Sequence, residues 1–165
     1  MRVSIRCVGR WERAKDAAPL RALFDDYARR LPWPVEVEAM AGDARAPAAA
    51  KRRQNTQRLR KGLQKRGLSE RAVVVALDAR GKSLDSAGFA RQLQSWLASG
   101  ASELVFLVGG RDGLDPAAVS EAHMVLALGP MTWPHRLVPV MVAEQLYRAH
   151  CILSGHPYSG DEHAV

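Results

Sequence analysis

Several things that would settle a sequence early are missing or scarce here. Two cysteines occur in 165 residues. Cys7 and Cys151 form no CxxC pair and have no His and carboxylate nearby at ligand spacing. Neither a disulfide framework nor a metal site is therefore expected, and both cysteines read as small buried hydrophobes. No apolar run approaches the roughly 20 residues that cross a bilayer. Met1-Arg2-Val3-Ser4-Ile5-Arg6 puts charge where a secretory signal needs a continuous apolar core, so a cytoplasmic protein is expected. The glycine-rich stretch Val108 to Gly113 is not GxGxxG, follows a late strand and precedes no Walker lysine, which sets aside a dinucleotide-binding oxidoreductase or a P-loop enzyme. No Ser/His/Asp set or carboxylate pair is legible, and Asp78, Asp112, Asp115 and Glu144 cannot be paired without a fold.

What is present is an alternation of short apolar runs and helical patterns. Val3 to Val8 alternates like a strand. Leu20, Leu23, Phe24, Tyr27 and Leu31 mark one helix face, stopped by Pro32 and Pro34. Val35 to Ala39 alternates again, Ala48 to Arg66 reads as a helix poor in large apolar residues, and Ala72 to Leu77 reads as a buried parallel strand. A helix around Phe89, Leu93, Trp96 and Leu97, a strand at Glu103 to Val108, and a short helix capped by Asp115 with Pro116 first follow. A strand at His123 to Leu128 and a helix at Leu137 to Leu153 complete the pattern. The prediction is one α/β domain over 1–165, a mostly parallel sheet flanked by helices.

Ligands of such sheets bind beyond the carboxyl ends of the strands. Three predicted loops lie there: Asp78 to Lys82, Gly109 to Asp115 and Gly129 to Arg136. The last has two prolines and a glycine, a stiff loop of the kind that holds ligands. His135 and His156 fall in loops, whereas His123 and His150 fall in regular elements and read as core or surface residues. Lys51, Arg52, Arg53, Arg58, Arg60, Lys61, Lys65 and Arg66 form a run without an acid, in a chain of net charge +7. That run is either a phosphate-contacting face or a solvated helix face. It has no interleaved aromatics, which excludes base stacking there.

Four ordered motifs carry a resemblance. They are Ala76-Leu77-Asp78-Ala79-Arg80-Gly81-Lys82, VGGRDGLDP at Val108 to Pro116, MTWPHRLVPVMVAEQLYRA at Met131 to Ala149, and His156-Pro157-Tyr158, with Val8-Gly9 opening the chain. Together they resemble the RlmH family, the pseudouridine methyltransferases of the large ribosomal subunit, which are small SPOUT-class enzymes. The resemblance implies a C-terminal trefoil knot at about residues 72–158, an exception to the rule that chains do not thread their own loops. It also implies a homodimer, and S-adenosyl-L-methionine held by Leu77, Gly109, Leu128, Gly129, Pro130, Met131, Thr132 and Trp133. The implied substrate is N3 of a pseudouridine in a stem-loop of 23S rRNA on assembled ribosomes, with Lys51, Arg52, Arg53 and Arg136 as RNA contacts.

His135, Glu144 and Tyr158 are the candidates for a general base. Glu144 could instead pair within its helix, and Tyr158 could only stack on the target base. Two positions depart from the family pattern: Pro139 stands where an Arg is usual, and Tyr158 is followed by Ser159-Gly160 rather than a His and a cation. They are the support for an alternative, a non-catalytic ribosome-binding or RNA-binding protein that retains the methyltransferase fold.

Overall fold

The computed structural model describes residues 1–9, 17–42, 47–65 and 70–160. Five strands, β1 (Arg2–Val8), β2 (Val35–Met40), β3 (Ala72–Ser83), β4 (Glu103–Val108) and β5 (Met124–Ala127), form one sheet in the order β2-β1-β4-β3-β5. Every pairing is parallel. Helices α1 (Ala17–Arg30), α2 (Ala48–Lys65), α3 (Ser86–Ala98), α4 (Pro116–Ser120) and α5 (Val138–Ser154) connect and cover the strands, and a 3-10 turn spans Pro157–Gly160. None of the described helices is long and apolar enough to cross a membrane.

The two-residue period of the strands decides which layer each side chain joins. Val3, Ile5 and Cys7 of β1 and Leu104, Phe106 and Val108 of β4 point into one core with Phe24, Phe89, Leu93, Trp96 and Leu146 from α1, α3 and α5. Val8, Ala76, Val105 and Leu107 point the other way, onto Leu59 of α2 and Leu114. Both cysteines are buried and free, and burial alone pushes the Cys7 thiol up to about 12, so it serves as packing.

The α2 side of β1 also holds a charge. Arg6 is 1% exposed. Its guanidinium meets the Glu38 carboxylate at 3.0 Å and donates to the Leu59 carbonyl at 3.2 Å. The buried cation thereby fastens α2 to the sheet, and removing either partner would strand a charge.

Two boundaries differ from expectation. Asp78 to Lys82, read from sequence as a loop, belongs to β3, which continues to Ser83. Leu77 and Lys82 both register with Leu126 of β5, so residues 78–81 bulge out between them. Gly81 lets that bulge lie on β5, since a Cβ there would be 2.7 Å from the Val125 carbonyl. His123 lies just before β5 rather than within it. It extends the pairing by other means: its backbone N–H donates to the Val74 carbonyl, and its Nδ1 accepts from the Val74 N–H. In α5, Pro139 occupies the first turn, where a missing N–H costs nothing, and is fully buried.

Candidate functional site

The bulge of β3 and the carboxyl ends of β4 and β5 open onto a cleft of about 550 Å³, within the range of small-molecule sites. Leu77, Val108, Leu126, Leu128, Met131 and Val138 give it apolar walls. Residues 109–113 and Gly129 give it backbone, and Asp78, Ala79, Thr132, Trp133, Pro134 and His135 complete the lining. Seven of the eight residues singled out for the methyl donor therefore meet at one place, and Pro130 is outside the lining.

The loop after β5 is closed by Trp133, whose indole N–H donates to the Leu128 carbonyl at 2.9 Å. That bond draws residues 128–133 into a ring whose outer rim is apolar: Met131 is 65% exposed and Trp133 39%. Gly129 turns the chain into the ring at φ +95°, and a Cβ there would meet nothing within 4 Å. Its backbone is thus bare toward open space.

Gly109 behaves differently. A glycine in a turn after a strand can serve by leaving room for a ligand. In the structure, a Cβ on Gly109 would lie 2.5 Å from the Gly113 carbonyl carbon and 2.8 Å from the Leu114 nitrogen. The glycine is required because its own turn folds back over it, closed by the Gly113 N–H donating to the Gly110 carbonyl at 2.9 Å.

Asp78, which the sequence reading left unassigned, is fixed in the cleft wall. Its Oδ1 accepts from the Arg80 backbone N–H and from Nε, both at 2.9 Å, and Oδ2 from the guanidinium at 2.8 Å. The side-chain bonds from Arg80 hold its carboxyl down at about 2, against a smaller opposing push from burial. The carboxylate is ionised throughout the neutral range. Asp112 shares the cleft, whereas Asp115 caps α4, accepting from the Ala117 N–H.

The three candidate bases are divided. His135 lines the cleft, its ring lying on Gly9 at the end of β1, where a Cβ would be 2.8 Å from Nε2. Burial, and then the charge of Arg136, holds its pKa below the ordinary 6.5, so the imidazole is neutral at pH 7. Glu144 and Tyr158 do not line the cleft. The Glu144 carboxylate accepts from Arg148 Nε at 2.9 Å, from Gln145 at 2.7 Å and from the Tyr158 hydroxyl at 3.2 Å. The Arg148 guanidinium also lies 5.0 Å from the Tyr158 ring centre, and the Tyr147 and Tyr158 rings are 4.7 Å apart. Burial, helped by Tyr27 and Glu144, pushes the Tyr158 hydroxyl well above its usual range, so it is a proton donor at neutral pH.

Among the other histidines, His150 meets Trp33 edge to face, and His156 accepts the Tyr158 N–H through Nδ1. Among the described residues no three His, Cys, Asp or Glu side chains gather as a metal-holding group.

On α2, Leu59, Asn55 and Thr56 face inward and are buried, Lys51 and Arg52 are half-buried, and Arg53, Arg58 and Lys61 are exposed. Arg58 reaches back to the Ala41 carbonyl at 3.1 Å. Arg66 lies outside the described residues.

A family model described as a predicted SPOUT methyltransferase matches residues 1–159. A Rhodospirillum centenum protein named ribosomal RNA large subunit methyltransferase H is 41% identical over 158 residues, spanning 96% of this chain and 98% of its own. A protein of the same name from Gluconacetobacter diazotrophicus is 48% identical over 139 residues, or 84% and 86% of the two chains. The solved structure of a probable methyltransferase from Bordetella pertussis Tohama I superposes with a TM-score of 0.52 at 14% identity, over 90% of this chain and 95% of that one, a likeness of fold.

Proposed function

The chain belongs to the ribosomal RNA large subunit methyltransferase H family of SPOUT methyltransferases, and from that membership we propose that it methylates N3 of a pseudouridine in a stem-loop of 23S rRNA, using S-adenosyl-L-methionine on assembled ribosomes. The observation that carries the reading is the cleft formed by the β3 bulge and the loops after β4 and β5. Bound there, S-adenosyl-L-methionine would supply an electrophilic sulfonium methyl group.

The residues present fit such a group. Leu77, Leu128 and Met131 offer apolar surface for an adenine face, and Gly109 to Gly113 and Gly129 offer backbone donors and acceptors at its edges. The Asp78 carboxylate, held ionised by Arg80, suits a ligand that carries positive charge or ribose hydroxyls. Trp133 holds the loop closed through Leu128, so the walls are formed before a ligand arrives.

Methyl transfer to an imide nitrogen needs the substrate oriented and its proton removed. His135 is neutral, lines the cleft and can accept a proton, so we assign it that role. Tyr158, protonated and tied to Glu144 and Arg148, supports the cluster on α5 as a donor. Lys51, Arg52, Arg53 and Arg136 supply cations for the phosphate backbone.

The family reading extends to a single domain over 1–165, a trefoil knot within about residues 72–158, a cytoplasmic site of action and a homodimer. The apolar rim of Met131 and Trp133 supports the dimer, because exposed patches of that kind are commonly covered by a partner.

The test is incubation of the purified chain with labelled S-adenosyl-L-methionine and ribosomes that lack the modification, followed by mass-spectrometric mapping of the methyl group. Label at N3 of the stem-loop pseudouridine is expected. Donor binding without transfer would instead favour a non-catalytic RNA-binding protein built on the same frame, the reading that the altered tail after Tyr158 favours.

A further inference from the structure

The basic helix and the segment that follows the glycine turn are joined by a partly buried hydrogen bond. Thr56, 2% exposed on the inner face of α2, accepts the backbone N–H of Asp115 through Oγ1 at 2.9 Å. Asp115 lies two residues beyond the turn at residues 109–113 that lines the cleft. One turn of helix further on, Leu59 packs with Leu114 in the same apolar cluster, and its carbonyl is held by the buried Arg6. Arg58 and Lys61 stand exposed on the outer face of the same helix, Lys51 and Arg52 are half-buried, and the exposed Arg53 is itself 4.0 Å from the Asp115 carboxylate. An exposed contact at that distance contributes little, so the shorter, partly buried Thr56 bond is the link that matters.

We propose that Thr56 is a positioning residue that couples RNA contact on α2 to donor binding in the cleft. The inference rests on the reading of the cleft as the donor site and of α2 as an RNA contact. Its physical basis is preorganisation. RNA held by the outer face of α2 restrains the helix, and the restrained helix presents Oγ1 in one place. Asp115 is then fixed, and with it a turn so tight that Gly109 has no room for a Cβ over Gly113. A donor that binds an already ordered turn loses less conformational freedom and binds more tightly. Linkage makes the effect reciprocal: donor must tighten RNA binding by the same factor.

The experiment is equilibrium dialysis of labelled S-adenosylhomocysteine, which cannot turn over, against the full chain alone and with saturating large ribosomal subunits. The expected gain in affinity with subunits is about 5-fold or more, the low end of ordinary allosteric couplings. Thr56→Val, which keeps shape and removes the acceptor, should bring that gain below about 2-fold, and Thr56→Ser, which keeps the hydroxyl, should retain it. A merely structural Thr56 would shift affinity equally with and without subunits, leaving the ratio unchanged, and that result would overturn the proposal. So would a wild-type chain that binds both partners with no gain, a measurement that does not depend on any variant folding. If the labelled ligand or the subunits fail to bind the wild-type chain at all, the underlying reading of cleft or helix falls, and the coupling with it.

Discussion

Replacing Gly109 with alanine should damage the cleft through the turn rather than by occupying it. The new Cβ would stand 2.5 Å from the Gly113 carbonyl carbon and 2.8 Å from both the Gly113 oxygen and the Leu114 nitrogen. Carbon atoms in contact prefer roughly 3.5–4.0 Å. Relief therefore needs a shift of about 1 Å, and the atoms in the way are backbone, with no flexible side-chain end to swing aside. A shift of that size at Leu114 would stretch the 2.9 Å bond from the Asp115 N–H to Thr56 beyond hydrogen-bonding range. Overpacking of this kind costs about 1–3 kcal/mol, and the lost bond about 0.5–1.5 kcal/mol. If even half of the total appears at the cleft, donor affinity falls roughly 3- to 40-fold at 1.4 kcal/mol per decade. Gly110→Ala is the control, since its Cβ meets only Val8 side-chain atoms at 3.0 and 3.4 Å, one of them a methyl that can yield. Urea denaturation and calorimetric titration of S-adenosyl-L-methionine on both variants check this. Gly109→Ala with wild-type stability and wild-type donor affinity would refute the reasoning.

Protonation supplies a second expectation. His135 has a folded-state pKa below 6.5, so its contribution to stability is complete above that value and is lost as pH falls toward the folded pKa, because the unfolded chain takes up the proton first. The stability difference between pH 7.5 and pH 5.5 should accordingly shrink in His135→Gln, and an unchanged difference in denaturant midpoints would remove the assigned neutrality. Tyr158→Phe keeps the ring against Tyr147 and deletes the 3.2 Å bond to Glu144. Turnover should drop while donor affinity stays within about 2-fold, and equal turnover in single-turnover assays would show that the hydroxyl has no part in the reaction. Reversing Lys51, Arg52 and Arg53 to Glu should weaken ribosome binding and flatten its logarithmic salt dependence by roughly 2–3, at about 0.7–0.9 per phosphate contact. A filter-binding slope equal to wild type would make α2 a solvated face only.

How far the sequence discloses this protein depends on whether a residue's partner is near or far along the chain. Alternation in Val3 to Val8 and unbroken burial in Glu103 to Val108 state their layers directly, because strand period and apolar content are local properties. Asp115 before Pro116 announces its cap for the same reason. Residues 78–81 were legible only as a turn: Asp-Ala-Arg-Gly has turn composition, and that the segment instead bulges within a continuing strand depends on Val125, over forty residues away in sequence. Gly109 shows the hazard of assigning a glycine by motif. Its position in the cleft was foreseen and its reason was not, since a missing Cβ serves a ligand or a neighbouring backbone equally well until the backbone is placed. The pairing of Glu144 with Arg148 four residues on was visible as a helix-surface pair. The Tyr158 hydroxyl on the same carboxylate was not, because it requires the chain to turn back after Gly155.

Thr56 is the sharper case. Asn55, Thr56 and Leu59 form a narrow inward stripe at helical spacing within a segment that otherwise advertises charge. A threonine buried on that stripe needs a polar partner, and the helical spacing does not say which. The partner is the Asp115 amide 59 residues away, two residues beyond the turn that lines the cleft. A helix whose outer face carries cations and whose inner face holds the ligand turn links two surfaces that the sequence presents as unrelated. Thr56 faces inward while Arg58 and Lys61 are exposed on the other side of the helix, which makes the coupling separable by experiment: reversing Arg58 and Lys61 to Glu should weaken RNA contact without moving the donor affinity of the free chain, and Thr56→Val should leave RNA contact in place while uncoupling it.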